Sequence, residues 1–141
     1  MHRDIKPANV MIGRFGETIV VDWGLAIPVL RDERFKQSGE KTLAIQLSGS
    51  QSGSTTGRGA GTPAFMSPEQ FSHLAPTPAS DIYSLGATLF VLLCGKPPIN
   101  HTSLSEIRTD TIEGRLPQLS EIRRGIPRSL QAIANSFKSI V

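Results

Sequence analysis

The distribution of apolar residues predicts a short β-hairpin near the beginning of the chain. Two runs rich in β-branched residues, Val10–Ile12 and Thr18–Val21, flank the glycine-containing segment 13–16. β-Branched side chains favour strands, and a short glycine-containing loop between two such runs is typical of a hairpin. The pattern therefore predicts two short antiparallel strands.

Three helical patterns follow in the second half of the chain, at Ala79–Cys94, Leu104–Glu113 and Arg128–Ile140. Prolines separate them, as expected at helix ends, because proline disrupts a helix interior. Large apolar side chains recur in the first pattern at roughly helical spacing: Ile82, Leu85, Leu89, Leu92 and Leu93. We expect this helix to be the hydrophobic centre of a mainly α-helical fold and not a cofactor site.

The segment between the hairpin and the helices is polar. From Ser48 to Gly61, every residue is Gly, Ser or Thr except Gln51, Arg58 and Ala60. Such a composition buries too little apolar surface to order the backbone. We therefore divide the single domain 1–141 into three parts, residues 1–30, 31–69 and 70–141, of which the middle part is a long connection.

Composition and charge narrow the class of protein. The 141 residues are 38% hydrophobic and 19% charged, with a formal net charge of +3, as in one ordinary folded domain. The single cysteine, Cys94, excludes an internal disulfide. No apolar stretch approaches the ~20 residues of a membrane span, and the basic residues are scattered without interleaved aromatic residues. We expect a cytoplasmic chain with no membrane segment and no nucleic-acid partner.

Candidate chemistry begins in the segment from His2 to Asn9, which carries a carboxylate, an amine and an amide on one short loop. These are Asp4, Lys6 and Asn9. Phosphoryl transfer uses such a set, because a carboxylate can accept the proton of the attacking hydroxyl and a lysine can offset phosphate charge. An amide oxygen can help to hold Mg²⁺. Asp4 alone would be better interpreted as a turn residue, because aspartate is common in turns, but the whole string favours catalysis.

A second candidate is the string Val21-Asp22-Trp23-Gly24, where a carboxylate follows an apolar strand and Gly24 permits a sharp turn. Asp22 lies 13 residues after Asn9 (22 minus 9), with one hairpin between them. A hairpin brings its two ends together, so Asp22 and Asn9 are predicted to share one magnesium site.

Two further strings complete a recognisable order: Gly61-Thr62-Pro63-Ala64-Phe65-Met66-Ser67-Pro68-Glu69, and Asp81-Ile82-Tyr83-Ser84-Leu85-Gly86. With His-Arg-Asp at 2–4 and Asp-Trp-Gly at 22–24, the chain resembles the carboxy-terminal lobe of bacterial, eukaryotic-like serine/threonine protein kinases. The motif match extends from residue 1 to about Pro98 and is loose thereafter. The resemblance implies a kinase-like C-lobe, mainly α with a short β-hairpin, without an amino-terminal lobe and truncated before the last helix.

The resemblance also implies roles for individual residues, with ATP and Mg²⁺ as cofactors and protein Ser/Thr hydroxyls as substrates. Asp4 corresponds to the catalytic base, Lys6 to the phosphate-contacting lysine, and Thr62 to a residue that helps to seat the substrate hydroxyl. Asn9 and Asp22 correspond to the magnesium ligands, and Met11 belongs to the strand beneath adenine. His2 and Trp23 match a hydrophobic spine, which Asp81 anchors to the loop backbone.

Regulation by phosphorylation is a further implication of the resemblance. Arg3, beside the base, pairs in the family with a phosphorylated residue of the activation segment, which here corresponds to residues 31–69. Ser54, Thr55 and Thr56 are the candidate phosphosites. A passive insertion that is never modified is the alternative.

Three interpretations of the whole chain remain open from the sequence. The first is a fragment of a serine/threonine kinase, which we expect to be inactive alone because it carries no lysine for the α- and β-phosphates and no glycine-rich nucleotide loop. The second is a non-catalytic module that binds protein partners. The third is a truncated gene product without a function.

Overall fold

The computed structural model describes residues 1–29 and 62–136, and its strands form the predicted hairpin. Strands β1 (Val10–Ile12) and β2 (Thr18–Val20) pair antiparallel in the register Val10↔Val20, Met11↔Ile19 and Ile12↔Thr18. The turn is closed by the Gly13 N–H, which donates to the Glu17 carbonyl at 2.8 Å, and by Gly16 at φ 87°. The hairpin prediction is confirmed, with β2 ending one residue earlier than expected.

Five α-helices follow, which makes the described part mostly helical with one two-stranded sheet. They are α1 (Pro68–Phe71), α2 (Pro78–Cys94), α3 (Leu104–Ile112), α4 (Leu119–Ile122) and α5 (Arg128–Ser136). The three predicted helices correspond to α2, α3 and α5, although residues 137–141 lie outside the described range. The four-residue helices α1 and α4 were not predicted, because a single turn carries too little periodicity.

Local sequence signals determine both ends of α2. The Thr77 hydroxyl accepts from the Ala79 N–H at 3.2 Å, Pro78 occupies the first turn, and Thr77 and Ser80 form a capping box. The helix stops where Gly95 adopts φ 76° and donates its N–H to the Val91 carbonyl at 2.7 Å. Glycine suits this position because a left-handed conformation costs other residues free energy.

The buried face of α2 matches the prediction only in part, because Leu89 and Leu93 pack against the core cluster around Phe90 whereas the other three predicted residues do not. Ile82, Leu85 and Leu92 are 52%, 50% and 67% exposed, so the prediction that they form the centre of the core is wrong within the described part of the chain. The helix instead buries small, hydroxyl-bearing and aromatic side chains: Ser80, Tyr83, Ser84, Ala87, Thr88 and Phe90. Apolar residues occur around most of this helix, so periodicity alone could not select the buried side.

Two apolar clusters hold the helices together. One joins α1 and α3 and contains Met66, Phe71, Ile99 and Ile107. The other joins α2, α4 and α5 around the fully buried side chains of Phe90 and Leu119. Helix α2 also contacts the 3-10 turns Pro7–Asn9 and Pro63–Phe65, so one helix supports two segments that carry candidate site residues.

No helix in the described ranges is long and apolar enough to cross a membrane. The predicted phosphosites Ser54, Thr55 and Thr56, and most of the predicted activation segment, lie outside the described residues.

Candidate active site

The loop from His2 to Asn9 is attached to α2 through Asp81. The two carboxylate oxygens of Asp81 accept the backbone N–H groups of His2 and Arg3 at 2.7 and 2.8 Å. Arg3 has φ 71°, a left-handed conformation that is uncommon for a residue with a side chain. Hydrogen bonds from a charged acceptor to successive amides help to maintain that conformation, which turns the chain toward Asp4.

His2 is a buried structural residue that links the loop to the end of the hairpin. Its Nδ1 accepts the Asp4 N–H at 3.3 Å, which requires the proton to be on Nε2, and Nε2 then donates to the Val21 carbonyl at 2.9 Å. Its ring also meets the Trp23 ring at 4.8 Å between centroids, with a tilt of 57°. Both ring nitrogens of His2 therefore have protein partners, so neither is available to a metal ion.

Asp4, Lys6 and Asn9 converge as the sequence predicted. Lys6 Nζ lies 2.7 Å from Asp4 Oδ2, and Asn9 Nδ2 donates to the Asp4 carbonyl at 2.8 Å and to Asp4 Oδ2 at 3.3 Å. The Asp4 and Lys6 side chains are 9% and 24% exposed, so the ion pair is shielded but open on one side. Because the Asn9 amide nitrogen faces Asp4, its oxygen faces away from the carboxylate.

Thr62 joins this cluster from 58 residues away in the sequence. Its N–H donates to Asp4 Oδ1 at 3.1 Å, and its hydroxyl accepts from Lys6 Nζ at 2.9 Å and lies 3.4 Å from Asp4 Oδ1. The Asp4 carboxylate is thus contacted by four donor groups, two on each oxygen. This arrangement fills the lone-pair directions of a carboxylate.

Asp22 leaves the hairpin next to Asn9. The Val21 N–H donates to the Asn9 carbonyl at 2.9 Å, directly beyond the Val10↔Val20 pair, so Asp22 follows the residue that is bonded to Asn9. The sharp turn lies at Asp22 itself, which has φ 65°, and not at Gly24 as predicted. Aspartate tolerates the left-handed region better than most residues.

Whether the site suits a cation can be judged from its donors. Asp22 is exposed, and no described residue donates a hydrogen bond to its carboxylate. Within the described ranges, no group of three or more His, Cys, Asp and Glu side chains could hold a metal ion. The Asn9 amide and the Asp22 carboxylate offer oxygen donors, and proteins commonly bind Mg²⁺ through one or two side-chain oxygens together with substrate phosphates and water.

The hairpin region carries several exposed apolar side chains. Met11, 58% exposed on β1, is paired with the exposed Ile19 of β2, and Ile12, Phe15 and Trp23 are exposed as well. Exposed apolar surface of this kind suits a flat aromatic ligand or another protein segment.

A buried polar group beneath the site was not predicted from the sequence. Burial of Tyr83, together with the nearby Glu69 carboxylate, raises its pKa to about 12, although a hydrogen bond with Thr111 opposes the increase. The Ser80 hydroxyl donates to Glu69 Oε1, which links α2 to α1. Gln70, in α1, donates to the Arg3 carbonyl at 3.2 Å. The only sequence signal for Gln70 was its position three residues after Ser67, a capping-box spacing that the structure contains.

Comparison with known proteins gives a consistent result. The chain matches the model of the family described as protein kinase domain over residues 1–140. It is 34% identical over 144 residues to the serine/threonine-protein kinase PknD of Protochlamydia amoebophila, an alignment that covers 99% of this chain and 14% of that protein. It is 34% identical over 133 residues to PknH of Mycobacterium tuberculosis, covering 94% of this chain and 18% of PknH. The chain spans less than a fifth of the length of these relatives.

Proposed function

The chain belongs to the protein kinase family, and from this premise we propose that the protein that carries it transfers the γ-phosphoryl group of ATP to Ser or Thr hydroxyls of protein substrates. The observation that carries this proposal is the convergence of Asp4, Lys6 and Thr62, whose side chains lie within hydrogen-bond distance although Thr62 is remote in sequence. We also propose that the chain supplies the carboxy-terminal lobe of the kinase domain, since its described part is mostly helical.

Asp4 is the proposed catalytic base. Two of its four contacts are short, from Lys6 at 2.7 Å and the Thr62 N–H at 3.1 Å, and two are long, at 3.3 and 3.4 Å. An incoming substrate hydroxyl could replace a long contact while the short ones hold the carboxylate in place. The carboxylate would then accept the hydroxyl proton as the oxygen attacks phosphorus.

Lys6 and Thr62 are the proposed partners of the base. The ammonium of Lys6 contacts both the carboxylate and the Thr62 hydroxyl, so it can offset negative charge on the phosphoryl group that is transferred. Thr62 presents its hydroxyl and its N–H to Asp4, which would orient the carboxylate toward the substrate. Positioning of this kind contributes much of the catalysis in phosphoryl transfer.

ATP and Mg²⁺ are the proposed cofactors. The Asn9 amide oxygen and the Asp22 carboxylate would hold Mg²⁺, and Met11 would contact the adenine ring from the open surface of β1. A bound cation would supply positive charge that offsets the negative charge of the nucleotide phosphates. We propose a cytoplasmic location for this part of the protein, since ATP is the proposed donor.

The direct test is phosphate transfer by the full protein that carries this chain, measured with radiolabelled ATP and a generic basic protein substrate. Replacing Asp4 with Asn should lower kcat by about 100- to 10,000-fold, the usual contribution of a general base. Asp110→Asn is the matched control, because Asp110 pairs with His101 and Arg115 away from the proposed site. Full activity in Asp4→Asn, or no transfer by the wild-type protein, would contradict the proposal.

Regulation by phosphorylation is part of the same proposal. Arg3 Nε is buried and has no hydrogen-bond partner among residues 1–29 and 62–136, so a phosphorylated residue could supply an acceptor near it. Ser54, Thr55 and Thr56 remain the proposed phosphosites. Mass spectrometry of the active protein should find phosphate within residues 54–56, and Arg3→Ala should remove the difference in activity between phosphorylated and unphosphorylated protein.

A non-catalytic, protein-binding role is the alternative to catalysis. The exposed apolar side chains of the hairpin would suit contact with a protein partner. Calorimetry with Mg²⁺-ATP distinguishes the catalytic role from the binding role. Nucleotide binding that is lost in Asp22→Asn supports the kinase, whereas its absence in the wild-type protein favours the binding role.

A further inference from the structure

Three hydroxyl-bearing residues occupy one face of the otherwise apolar helix α2. Ser80, Ser84 and Thr88 are spaced four residues apart, so they lie in a row along the helix. All three are almost completely buried, at 1%, 2% and 3% exposure. Hydroxyl groups are costly to bury unless they form hydrogen bonds, so a row of them in the core calls for a structural explanation.

The middle residue of the row contacts the segment that carries Thr62. Ser84 Oγ lies 2.8 Å from the Phe65 carbonyl oxygen and 3.0 Å from the Ser80 carbonyl of its own helix. No other described group donates to the Phe65 carbonyl. The Phe65 N–H in turn donates to the Thr62 carbonyl at 2.9 Å, which closes the 3-10 turn Pro63–Phe65.

These contacts form a continuous path from α2 to the proposed base. It leads from the Ser84 hydroxyl through Phe65 to Thr62, whose N–H reaches Asp4 Oδ1 at 3.1 Å. Asp81, three residues before Ser84 and therefore beside it on the helix surface, holds the other half of the site through the amides of His2 and Arg3. One turn of α2 thus contacts both the loop that carries Asp4 and the turn that follows Thr62.

We propose that Ser84 is a positioning residue that sets the location of Thr62 relative to Asp4 and Lys6. The inference rests on the proposed kinase function and concerns the placement of the substrate hydroxyl. Without the Ser84 hydroxyl, the Phe65 carbonyl loses its only described donor, and the turn can shift on α2. Because Thr62 is bonded within the same turn, its contacts with Asp4 and Lys6 would lengthen. Sub-ångström misplacement is sufficient to slow phosphoryl transfer.

The kinetic test compares Ser84→Ala, Ser84→Thr and Ser105→Ala in the full protein. Ser84→Ala should lower kcat about tenfold, equivalent to about 1.4 kcal/mol, while the KM for ATP changes less than about twofold. Ser84→Thr keeps the hydroxyl and should restore most of kcat. Ser105→Ala is the control and should leave kcat unchanged, because this exposed hydroxyl has Ser103 as its hydrogen-bond partner among the described residues. An unchanged kcat in Ser84→Ala, or a parallel loss of kcat, ATP affinity and melting temperature that Thr does not rescue, would overturn the proposal.

A second measurement is independent of catalysis. Hydrogen exchange of the Thr62 amide should be about tenfold faster in Ser84→Ala, whereas the Gly95 amide, bonded within α2, should exchange at the same rate in both proteins. Equal exchange at Thr62 would refute the role of Ser84 even if the wild-type enzyme is active. A wild-type protein that transfers no phosphate would refute only the proposed function, since exchange still decides the role of Ser84. If Ser84→Ala does not fold, Ser84→Cys, of similar shape with a weak donor, replaces it under the same criteria.

Discussion

Asp81 offers a quantitative test of how α2 supports the site. Its carboxylate accepts two backbone N–H groups at 2.7 and 2.8 Å, from His2 and Arg3. Asparagine has nearly the same shape but presents one oxygen and one NH₂ group. In Asp81→Asn, one amide therefore keeps a neutral acceptor, while the other faces a donor. The left-handed conformation of Arg3, at φ 71°, loses part of its support as well.

The size of the effect follows from these contacts. A hydrogen bond to a charged group contributes about 1.5–3 kcal/mol and a neutral one about 1 kcal/mol. Replacing one charged bond with a neutral bond and losing the other should lower the free energy of unfolding by about 2–5 kcal/mol. The loss would be local in origin, because Phe90 of α2 keeps its packing against Leu119.

Urea denaturation of the full protein, followed by circular dichroism and tryptophan fluorescence, measures this difference. The urea concentration at the midpoint of unfolding should fall. The slope of the unfolding free energy against urea concentration should stay constant, since the same surface is exposed on unfolding. Asp110→Asn is the matched control. Asp110 pairs with exposed partners, His101 and Arg115, so its loss should cost less than about 1 kcal/mol. A decrease below about 1 kcal/mol in Asp81→Asn would refute the argument that these two hydrogen bonds hold the loop.

Three further predictions concern the body of the protein. Tyr83 is the only tyrosine of the chain, so near-ultraviolet absorbance can follow its ionisation. It should ionise near pH 12 in the folded chain and near pH 10 once urea unfolds the chain. Equal pKa values in the two states would contradict its burial. Because the folded-state pKa is the higher one, the neutral phenol stabilises the fold below pH 10. This stability, at most about 3 kcal/mol, should be lost as the pH rises from 10 to 12, but not in Tyr83→Phe. Phe90→Ala should lower the unfolding free energy by about 3–5 kcal/mol and the exposed Leu92→Ala by under about 1 kcal/mol in the same urea assay; similar losses would contradict the burial pattern. Gly95→Ala should cost about 1 kcal/mol in thermal unfolding because Gly95 is left-handed, and an unchanged melting temperature would contradict this.

The hairpin shows what periodicity can predict. Two β-branched runs around a glycine-containing loop can pair in few ways, and the observed register brings Asp22 back beside Asn9. The turn itself was only partly predicted. The sequence suggested that Gly24 provides the sharp bend, but the left-handed residue is Asp22. Both residues tolerate that conformation, so local preference could not distinguish them.

Helix α2 shows the limit of the same reasoning. Its bounds follow from the cap at Thr77 and the glycine at 95, and both are visible in the sequence. Its buried face is not, because Ile82, Leu85 and Leu92 are as apolar as the residues that are buried. The choice depends on which neighbours pack against the helix, and those neighbours lie far away in the sequence. The role that we propose for Ser84 could not be predicted from the sequence, because it also depends on a contact with a remote segment.

By itself, the sequence determined the hairpin, three of the five helices in the described part of the chain, and the grouping of Asp4, Lys6 and Asn9 within one short loop. These features depend on local preferences and short spacings. The roles of Thr62 and Asp81 were only implied by the resemblance to a family. The tertiary structure decided how Thr62 and Asp81 contact the loop, that Ser84 contacts the turn after Thr62, and that Tyr83 is buried near Glu69. Contacts between remote residues depend on how helices pack, and packing is selected by the shape and burial of the whole fold.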